Sequence, residues 1–333
     1  MKITFHKLNK RLEEILLKEG FSGERSAEIA EVFTVSTFRG VFSHGINRFP
    51  RFIREVREGI ILPEESPVQL HSFRALEQWD GRRGPGITNA LRCSDRSVEL
   101  AAECGIGCVG LRNTNHWMRG GSYGWRVAEK GFLFLGWTNT TPNMPPWGGE
   151  HPSLGNNPLV MAIPKREGHL VLDMAMSQFS YGKLEWHLKK GTRLPEPGGF
   201  DREGKLTSDP GEILETGRIL PTGFWKGSGL SMILDLAAAM LSGGNTSRDI
   251  GRMTHETGLS QVFISIDLEK HLDPDQRQRM IDQALDFVRD GDPGARFPGQ
   301  RSHRHWTAHE ETEVEIPESA WREVLDLNAG PEG

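Results

Sequence analysis

The sequence predicts a mixed α/β fold in which helices flank a sheet core. Apolar residues recur at helical spacing along residues 5–18 and 22–38, so that each stretch has one apolar face. Short apolar runs typical of strands follow at 107–111, 132–137 and 262–266, and helical stretches separate them. Because helices alternate with strands along the chain, an α/β class is favoured over an all-helical or all-β one.

Length and composition limit the function classes. A chain of 333 residues can form two ordinary domains or one larger α/β unit, and we expect a soluble globular protein. The formal net charge is −5 without long runs of one sign, so no nucleic acid or membrane partner is expected. No apolar signal core or bilayer-length apolar run occurs, and Cys93, Cys104 and Cys108 lack metal-type spacing. These features favour the cytoplasm.

The first polar motif is Ser43-His44-Gly45, followed by Arg48. Ser43 is suited to cap a helix start, which would place His44 one turn before Arg48 on the same face. Imidazole exchanges a proton near neutral pH, and guanidinium matches a carboxylate, so the pair suits a 2-oxo acid. The alternative is an ordinary helix start with a surface arginine. Arg51 is expected on the solvated face of the next helix.

A second polar motif, at residues 112–124, follows a predicted strand. It contains Asn115-His116-Trp117 and then Gly120-Gly121, and its glycines allow a ligand to approach the backbone closely. Ligand sites in α/β proteins form where strands end, so we expect a binding loop here. The irregular stretch 138–149, rich in hydroxyl, amide and proline residues, is expected to line the same pocket.

Residues 105–110 match the glycine fingerprint of dinucleotide sites, but we reject the match. That motif needs a strand before it and a helix after it, and here the predicted order is reversed. Residues 170–189 do have the order strand, turn, helix, so their backbone N–H groups are candidates for binding a diphosphate. Lys226, ahead of a buried apolar helix predicted at 230–241, is either a phosphate contact or an ordinary surface lysine.

The only candidate metal ligands in a cluster are His303, His305 and His309. Alternate and helically spaced histidines can converge on one ion, but no other ligand cluster accompanies them, and a solvated loop accounts for them. We therefore predict no metal. The zinc helix H-E-x-x-H is absent, which removes one of the commonest hydrolase signatures.

Five motifs occur together along the chain: Ser43-His44-Gly45 with Arg48, Asn115-His116-Trp117 with Gly120-Gly121, Gly155-Asn156-Asn157-Pro158, Asp173-Met174-Ala175, and Trp225-Lys226-Gly227. Together they resemble the malate/L-lactate dehydrogenase-like oxidoreductases, which are distinct from the Rossmann lactate and malate dehydrogenases. The resemblance covers nearly the whole chain and is strongest over 41–52, 77–80, 115–125 and 144–148.

The resemblance implies a non-Rossmann NAD(P)-binding fold, a homodimer, and a metal-free hydride transfer between the cofactor and the 2-position of a 2-oxo or 2-hydroxy acid. NADH is the expected cofactor, with NADPH as the alternative, and a 2-oxo sugar acid is the expected substrate. Another acid such as malate, lactate or ureidoglycolate is the alternative substrate. Rival classes are a metal-dependent hydrolase or lyase and a catalytically silent binding protein.

The resemblance also assigns residues. His44 is the expected proton donor, Arg48 the partner of the substrate carboxylate, and Ser43 and His116 the polar wall, although relatives give the acid role to either histidine. The residues expected to hold the cofactor are His169, Leu170, Val171, Leu172, Asp173, Met174, Ala175, Trp225, Lys226, Gly299, Gln300 and Arg301. Three regions follow: a helical one at 1–68 carrying the catalytic motif, a cofactor-binding sheet core at 69–229, and a region at 230–333 that completes the unit.

Overall fold

The structure is a computed structural model that describes residues 1–292 and 294–327. Twelve α-helices are found in that part of the chain, together with single-turn 3₁₀ helices at Phe42–His44 and Leu268–Lys270. The α-helices are α1 (Phe5–Lys18), α2 (Gly23–Phe38), α3 (Phe49–Arg57), α4 (Gly86–Cys104), α5 (Gly121–Glu129), α6 (Tyr181–Lys189), α7 (Pro210–Thr216), α8 (Trp225–Ser242), α9 (Ser247–Ile250), α10 (Pro274–Arg289), α11 (Gln300–His309) and α12 (Glu318–Asp326).

The strands of the described residues form one large sheet and two small ones. They are β1 (Lys2–Thr4), β2 (Val68–Phe73), β3 (Leu76–Asp80), β4 (Ile106–Thr114), β5 (Leu133–Thr138), β6 (Leu159–Ile163), β7 (Leu170–Met174), β8 (Gly199–Phe200), β9 (Leu206–Thr207), β10 (Leu259–Ile266) and β11 (Glu313–Glu315). The large sheet has seven strands in the order β2-β3-β4-β10-β5-β6-β7. Only β3 and β4 run parallel, which confirms the predicted mixed sheet.

The rejected glycine fingerprint, residues 105–110, runs from the end of α4 into β4, in the order that the sequence predicted. Gly105 ends α4 in the left-handed conformation, with φ of 83°, and β4 starts at the next residue. A left-handed residue after a helix is a common stop because glycine adopts it without a Cβ clash. A strand and not a helix follows these glycines, so they serve a turn and close packing and do not form the dinucleotide fingerprint.

The N-terminal helices share their core with the end of the chain. β1 pairs with β11, and the buried side chains of α1, α2 and α3 form one cluster with Val314 and Val324. In that cluster Phe33 packs edge to face on Phe49 and Phe52, at ring distances of 5.2 and 5.5 Å. Full burial of one such side chain stabilises a fold by roughly 1.5–3 kcal/mol. This core anchors the start of α3, where Arg48 lies.

Several predicted elements differ from the structure. Helix α8 starts at Trp225, so Lys226 lies within its first turn and not ahead of it. It is not buried, because Ile233 and Met240 are 63% and 72% exposed. The expected loop through Gln300 is helical, and the three clustered histidines lie on α11. The predictions for α8 and for the start of α11 were based on residue composition. Composition does not determine where a helix begins or which of its faces meets the core. No helix of the described residues is long and apolar enough to cross a membrane.

The first residue of α4 packs directly against the loop after β4. A Cβ on Gly86 would lie 2.2 Å from the carbonyl oxygen of Asn115 and 2.3 Å from that of His116. These distances are well inside van der Waals contact, so only glycine fits between the helix and the loop. The contact sets the position of the loop that carries His116.

This contact predicts a difference between two glycines that each begin an α-helix. Gly86→Ala should lower the free energy of unfolding by about 1–3 kcal/mol, because the new methyl group meets backbone atoms that cannot rotate away. Gly23→Ala is the matched control, since a Cβ on Gly23 meets no atom within 4 Å. Urea unfolding followed by tryptophan fluorescence measures both. Equal free energies of unfolding for the two variants would contradict the prediction, because they would show that the loop after β4 can move to accommodate the methyl group without loss of stability.

Candidate active site

The structure brings the two predicted histidines together. The rings of His44 and His116 stack with centroids 5.8 Å apart and an interplanar angle of 23°. They come from different parts of the chain, His44 from the 3₁₀ turn before α3 and His116 from the loop after β4. The pairing is therefore a product of tertiary structure that joins the helical region to the sheet.

The local geometry of the first motif differs from the prediction. Ser43 caps no helix, and its Oγ instead lies 3.1 Å from Nδ1 of His44. Gly45 breaks the helical conformation after His44, and Arg48 is the N-cap residue of α3. His44 and Arg48 thus belong to different short elements, and their proximity depends on the turn between them.

The second motif is held by buried hydrogen bonds. The Asn115 amide donates to the carbonyl oxygens of Arg83 and Gly84 at 2.8 and 3.0 Å, and its Oδ1 accepts from Thr257 at 2.9 Å. The backbone N–H of Met118 donates to His116 Nδ1 at 2.9 Å. A neutral His116 therefore carries its proton on Nε2, and its ring has one defined orientation.

Burial and nearby positive charge lower the pKa of both histidines. Burial, followed by the charges of Arg48 and Arg119, lowers the pKa of His44 to about 4. Burial, Arg48 and then His44 place the pKa of His116 well below its usual value. Arg48 is itself in a poorly solvated position, since its buried Nε has no hydrogen-bond partner in the described part of the chain. A buried guanidinium nitrogen that lacks a hydrogen-bond partner among the described residues, beside two imidazoles of lowered pKa, favours an anionic ligand.

Sequence reasoning missed two arginines. Arg119 is only 5% exposed, and its Nη2 donates to Ser302 at 3.2 Å. Arg51 was expected on a solvated face, but it is half-buried and near enough to lower the pKa of His116. The signal for Arg119 was its position, a cation inside a stretch of apolar and small residues that precedes α5. For Arg51 the sequence carried no such signal, because α3 has charged residues on several sides.

The predicted cofactor segments meet along β7, the edge strand of the large sheet. At its start, the Val171 N–H donates to the Pro298 carbonyl at 3.1 Å, and a Cβ on Gly299 would lie 2.9 Å from the Val171 nitrogen. Beyond its end, the Thr222 N–H donates to the Met176 carbonyl at 2.8 Å, which brings the first turn of α8 close. The three segments, far apart in sequence, therefore follow one edge.

The individual residues of these segments have different surroundings. Asp173 is exposed as a residue, but the protein around its carboxylate desolvates the charge and so raises the pKa of Asp173. Arg119 and the Gly121 N–H act in the opposite direction and only partly offset this shift. The imidazole of His169 already has a hydrogen-bond partner within the protein, because its Nδ1 accepts from the Lys165 N–H at 3.1 Å. Gln300 is buried, whereas Trp225, Lys226 and Arg301 are exposed. Leu170, Leu172, Met174 and Ala175 are half-buried along or just after the edge strand.

The backbone hydrogen-bond donors along this edge of the sheet are suited to a dinucleotide. Val171 directs its N–H outward from the sheet, and residues two apart on a strand face the same way, so the Asp173 N–H also faces the open edge. Helix α11 starts beside it with no side-chain cap on its N-terminus. Free backbone N–H groups and a helix N-terminus are suited to a diphosphate.

The histidines of α11 do not converge on a common point. His305 Nδ1 lies 2.7 Å from the Phe38 carbonyl, and His309 Nδ1 lies 2.8 Å from the His305 carbonyl. His303 stacks on Trp125 with centroids 5.9 Å apart. Within residues 1–292 and 294–327, no group of three histidine, cysteine, aspartate or glutamate side chains is placed to hold a metal ion.

Fold and site together define a class. The site lies at a mixed α/β sheet with an open edge. It contains two imidazoles of lowered pKa and an arginine whose buried Nε has no hydrogen-bond partner among the described residues, and these groups can exchange a proton with a carboxylic acid substrate and bind its carboxylate. Residues 3–325 match the model of the malate/L-lactate dehydrogenase family. The chain belongs to this family of oxidoreductases, which act on 2-oxo and 2-hydroxy acids with a nicotinamide cofactor.

Relatives agree with this assignment. The chain is 43% identical to the 2,3-diketo-L-gulonate reductase of Klebsiella pneumoniae, over 98% of this chain and 100% of that protein. It is 42% identical to the enzyme of the same name from Escherichia coli K12, with the same coverage. The similarity therefore extends over the whole chain and is not confined to the site.

Solved structures share the fold. The sulfolactate dehydrogenase of Methanocaldococcus jannaschii superposes with a TM-score of 0.89 at 27% identity, covering 99% of this chain and 97% of that one. The Δ1-piperideine-2-carboxylate reductase of Pseudomonas syringae superposes with a TM-score of 0.88 at 26% identity, covering 98% and 99%. The mixed-sheet, non-Rossmann architecture is thereby confirmed.

The low pKa of His44 predicts how its titration responds to charge. In the free enzyme His44 should stay neutral down to about pH 5, because its pKa is about 4. Arg48→Gln should raise this pKa, since a nearby cation disfavours the imidazolium. Nuclear magnetic resonance titration of labelled histidines measures the shift, and His44→Gln assigns the signal. Arg92→Gln, which removes an exposed arginine of α4, is the control. A His44 titration near 6.5 in the unsubstituted enzyme would contradict the prediction.

Proposed function

We propose that the protein catalyses the NADH-dependent reduction of 2,3-diketo-L-gulonate to 3-keto-L-gulonate. The observation that carries the proposal is the stacked His44–His116 pair beside Arg48, whose buried Nε has no hydrogen-bond partner among the described residues. The full-length similarity to 2,3-diketo-L-gulonate reductases supports the choice of substrate. NADPH is the alternative cofactor, and malate, lactate or ureidoglycolate chemistry is the alternative reaction in the same class.

Arg48 is the proposed carboxylate ligand. Its guanidinium lacks a hydrogen-bond partner at Nε, and burial lowers its pKa because charge is costly in that environment. A bidentate carboxylate would satisfy the fork of donors and offset the charge. The same neutralisation removes one cause of the low pKa of His44. Substrate binding thereby raises the affinity of His44 for the proton that it must deliver.

His44, and not His116, is the proposed proton donor. His116 Nδ1 accepts the Met118 N–H, so a second proton on that ring would set two donors against each other. His44 Nδ1 faces the Ser43 hydroxyl, which both donates and accepts and so tolerates either protonation state. His116 is left to donate from Nε2 as a neutral group. This assignment makes Ser43 and His116 positioning groups around the carbonyl oxygen.

The nicotinamide cofactor supplies the hydride when it is bound. The residues proposed to hold it are His169 to Ala175 on and around β7, Trp225 and Lys226 in the first turn of α8, and Gly299 to Arg301 at the start of α11. As the carbonyl carbon gains the hydride, negative charge grows on its oxygen. Proton donation from His44 at that stage contributes on the order of a hundredfold to ten-thousandfold in rate.

A metal-dependent hydrolase or lyase is the rival from another class. It would need the α11 histidines to act together, and two of them point Nδ1 at backbone carbonyls instead. Nothing else in residues 1–292 and 294–327 gathers a metal-ligand set. Arg48, whose buried Nε has no hydrogen-bond partner among the described residues, has a role in an oxidoreductase as the carboxylate ligand and none in the metal-dependent rival.

The reaction is tested by following NADH and NADPH oxidation optically against 2,3-diketo-L-gulonate, pyruvate, oxaloacetate and bulkier 2-oxo acids. We expect the highest kcat/KM with diketogulonate and NADH. His44→Gln should lower kcat by about a hundredfold to ten-thousandfold with unchanged NADH affinity, because the proton donor is lost. His116→Gln is the matched variant and should lower kcat only about tenfold, the effect of one lost hydrogen bond.

Three results would contradict these assignments. Near-normal turnover of His44→Gln together with a large loss in His116→Gln would exchange the roles of the two histidines. Efficient turnover of a different 2-oxo acid would keep the mechanism and replace the substrate. Absence of cofactor oxidation with every acid tested, accompanied by bound zinc or manganese after purification, would support the metal-dependent rival.

We also propose that the protein is a homodimer and acts in the cytoplasm. The support for a dimer is the outer face of α8, on which large apolar side chains lie in the open: Leu230, Ile233, Leu236 and Met240. These positions follow helical spacing and so form one stripe. Exposed apolar stripes of this kind mark protein interfaces. The stripe lies on the helix whose first turn carries Trp225 and Lys226, so the proposed dimer contact and part of the proposed cofactor site share one helix.

The dimer predicts the outcome of one charge substitution. Ile233→Glu should convert the dimer to a monomer, because a carboxylate cannot be buried at an apolar contact without a partner. Leu17→Glu is the matched control, since Leu17 is an exposed leucine on α1, outside the stripe. Analytical ultracentrifugation reads both masses. A dimeric Ile233→Glu protein, or a monomeric unsubstituted one, would place this stripe outside any interface.

A further inference from the structure

We propose that Glu256 and Asn143 form a subsite that accepts hydrogen bonds from the hydroxyl groups of the substrate and disfavours a second carboxylate. The pair would thereby select a polyhydroxy 2-oxo acid over a dicarboxylic one such as oxaloacetate. The inference rests on the proposed function and deepens it, because it assigns the choice among 2-oxo acids to two side chains outside the five sequence motifs. Its support is a carboxylate and a buried amide oxygen on the segments around the histidines.

Glu256 lies where two loops of the site meet. It belongs to the segment between α9 and β10, and its Oε2 accepts the Thr141 N–H from the loop after β5 at 3.2 Å. The next residue, Thr257, donates its hydroxyl at 2.9 Å to Asn115, which directly precedes His116. Consecutive residues of one segment therefore contact both the loop after β5 and the loop that carries His116.

The carboxylate of Glu256 retains capacity to accept further hydrogen bonds. In the part of the chain that the structure describes, its one hydrogen-bond partner is the Thr141 N–H, and it forms no ion pair. Burial, followed by the charge of Arg51, lowers the pKa of Arg48, and Glu256 is the carboxylate that opposes this shift most. The half-buried Glu256 therefore lies near the proposed carboxylate ligand without pairing with it.

Asn143 adds a second acceptor on the same loop as Thr141. Its Nδ2 donates to Asn156 Oδ1 at 3.2 Å, and Thr140 Oγ1 donates to the same oxygen at 3.0 Å. The Asn143 N–H donates to the Leu154 carbonyl at 2.9 Å, so the backbone is held as well. The Asn143 Oδ1 is buried and has no hydrogen-bond partner among the described residues. A buried oxygen without a donor is costly, so a ligand hydroxyl there would be stabilising.

The two acceptors match the chemistry of a sugar acid. If Arg48 holds the carboxylate and His44 faces the carbonyl oxygen, the rest of the carbon chain carries its hydroxyl groups beyond these two residues. A hydroxyl donates as well as accepts, whereas a carboxylate and an amide oxygen only accept. Two substrate hydroxyls would therefore satisfy Asn143 Oδ1 and the remaining oxygen of Glu256. The second carboxylate of oxaloacetate has no proton to donate, and Glu256 would repel its charge.

Arg51 does not offer a dicarboxylic acid an equivalent cation. Its Nε donates to Glu55 Oε1 at 2.8 Å, one turn further along α3. Burial lowers the pKa of Arg51, but the hydrogen bond and charge of Glu55, with Glu256, raise it by more. Arg51 is therefore stabilised as a cation within its own helix. Arg48, whose buried Nε lacks a partner in the described chain, is the guanidinium that a substrate carboxylate would complete.

The experiment compares substrates on the full-length enzyme. Reduction of 2,3-diketo-L-gulonate, pyruvate and oxaloacetate is followed by NADH oxidation, and an acid that is turned over too slowly is compared through its competitive inhibition constant. Glu256→Gln removes the charge but keeps an oxygen for the Thr141 N–H. It should raise kcat/KM for oxaloacetate about tenfold relative to pyruvate, because the repulsion is lost. Asn143→Ala should lower kcat/KM for diketogulonate about tenfold relative to pyruvate, which lacks the hydroxyl groups.

A distant carboxylate on the helix of Arg48 supplies the matched control. Glu58 is exposed at the C-terminal end of α3, whereas Arg48 is its N-cap residue. Glu58→Gln removes the same charge at the opposite end of this helix, where solvent screens it. We expect the ratios among the three acids to be unchanged in this variant.

Glu256→Ala separates a selective role from a structural one. If Glu256 served only to hold the Thr141 N–H, Glu256→Gln would match the unsubstituted enzyme, and Glu256→Ala would lower kcat/KM equally for all three acids. The subsite predicts instead that both variants shift the ratio of oxaloacetate to pyruvate in the same direction. Circular dichroism verifies that each variant is folded.

The outcomes distinguish the subsite from the reaction. Unchanged substrate ratios in Glu256→Gln and Asn143→Ala, in an enzyme that prefers diketogulonate, would overturn the subsite and leave the proposed function intact. A preference of the unsubstituted enzyme for oxaloacetate, or no turnover of any of the three acids, would overturn the proposed function together with the subsite.

Discussion

The arrangement of the site depends on positive charge held where solvation is poor. Arg48 and Arg119 lie beside His44, each with a buried nitrogen that lacks a partner among the described residues. Their charges, added to burial, keep His44 neutral, with a pKa of about 4. A carboxylate substrate and a diphosphate cofactor are the ligands that would complete this electrostatic arrangement. Binding and proton transfer are therefore two consequences of one distribution of charge.

Well-packed elements on two sides of the site hold these charged groups in place. The apolar cluster of the N-terminal helices includes side chains from the end of the chain, and it anchors α3 below Arg48. On the other side, the Asn115 amide and Gly86 hold the loop of His116 against α4. Each histidine is thus fixed by a different part of the fold. Their stacking is maintained by packing and hydrogen bonds that lie outside the site.

Part of the site was predictable because motif chemistry and family resemblance point to the same residues. Ser43, His44, Arg48 and His116 do lie near one another, and the three expected cofactor segments do follow β7 and its neighbours. The errors concern local conformation. Ser43 caps no helix, the start of α11 was expected as a loop, and α8 was expected to be buried. In each case the residue types suit more than one conformation, and contacts distant in sequence decide between them.

The sequence by itself determined the α/β class, the reversed order of helix and strand at residues 105–110, and the residue types available for catalysis. Those properties depend on local spacing and side-chain chemistry, which the chain carries wherever it folds. Only the tertiary structure decided that Arg119 is buried beside Ser302, that Met118 restricts the tautomer of His116, and that α8 exposes its apolar stripe. Burial and hydrogen-bond partners arise between segments far apart in the chain, and no local pattern encodes them.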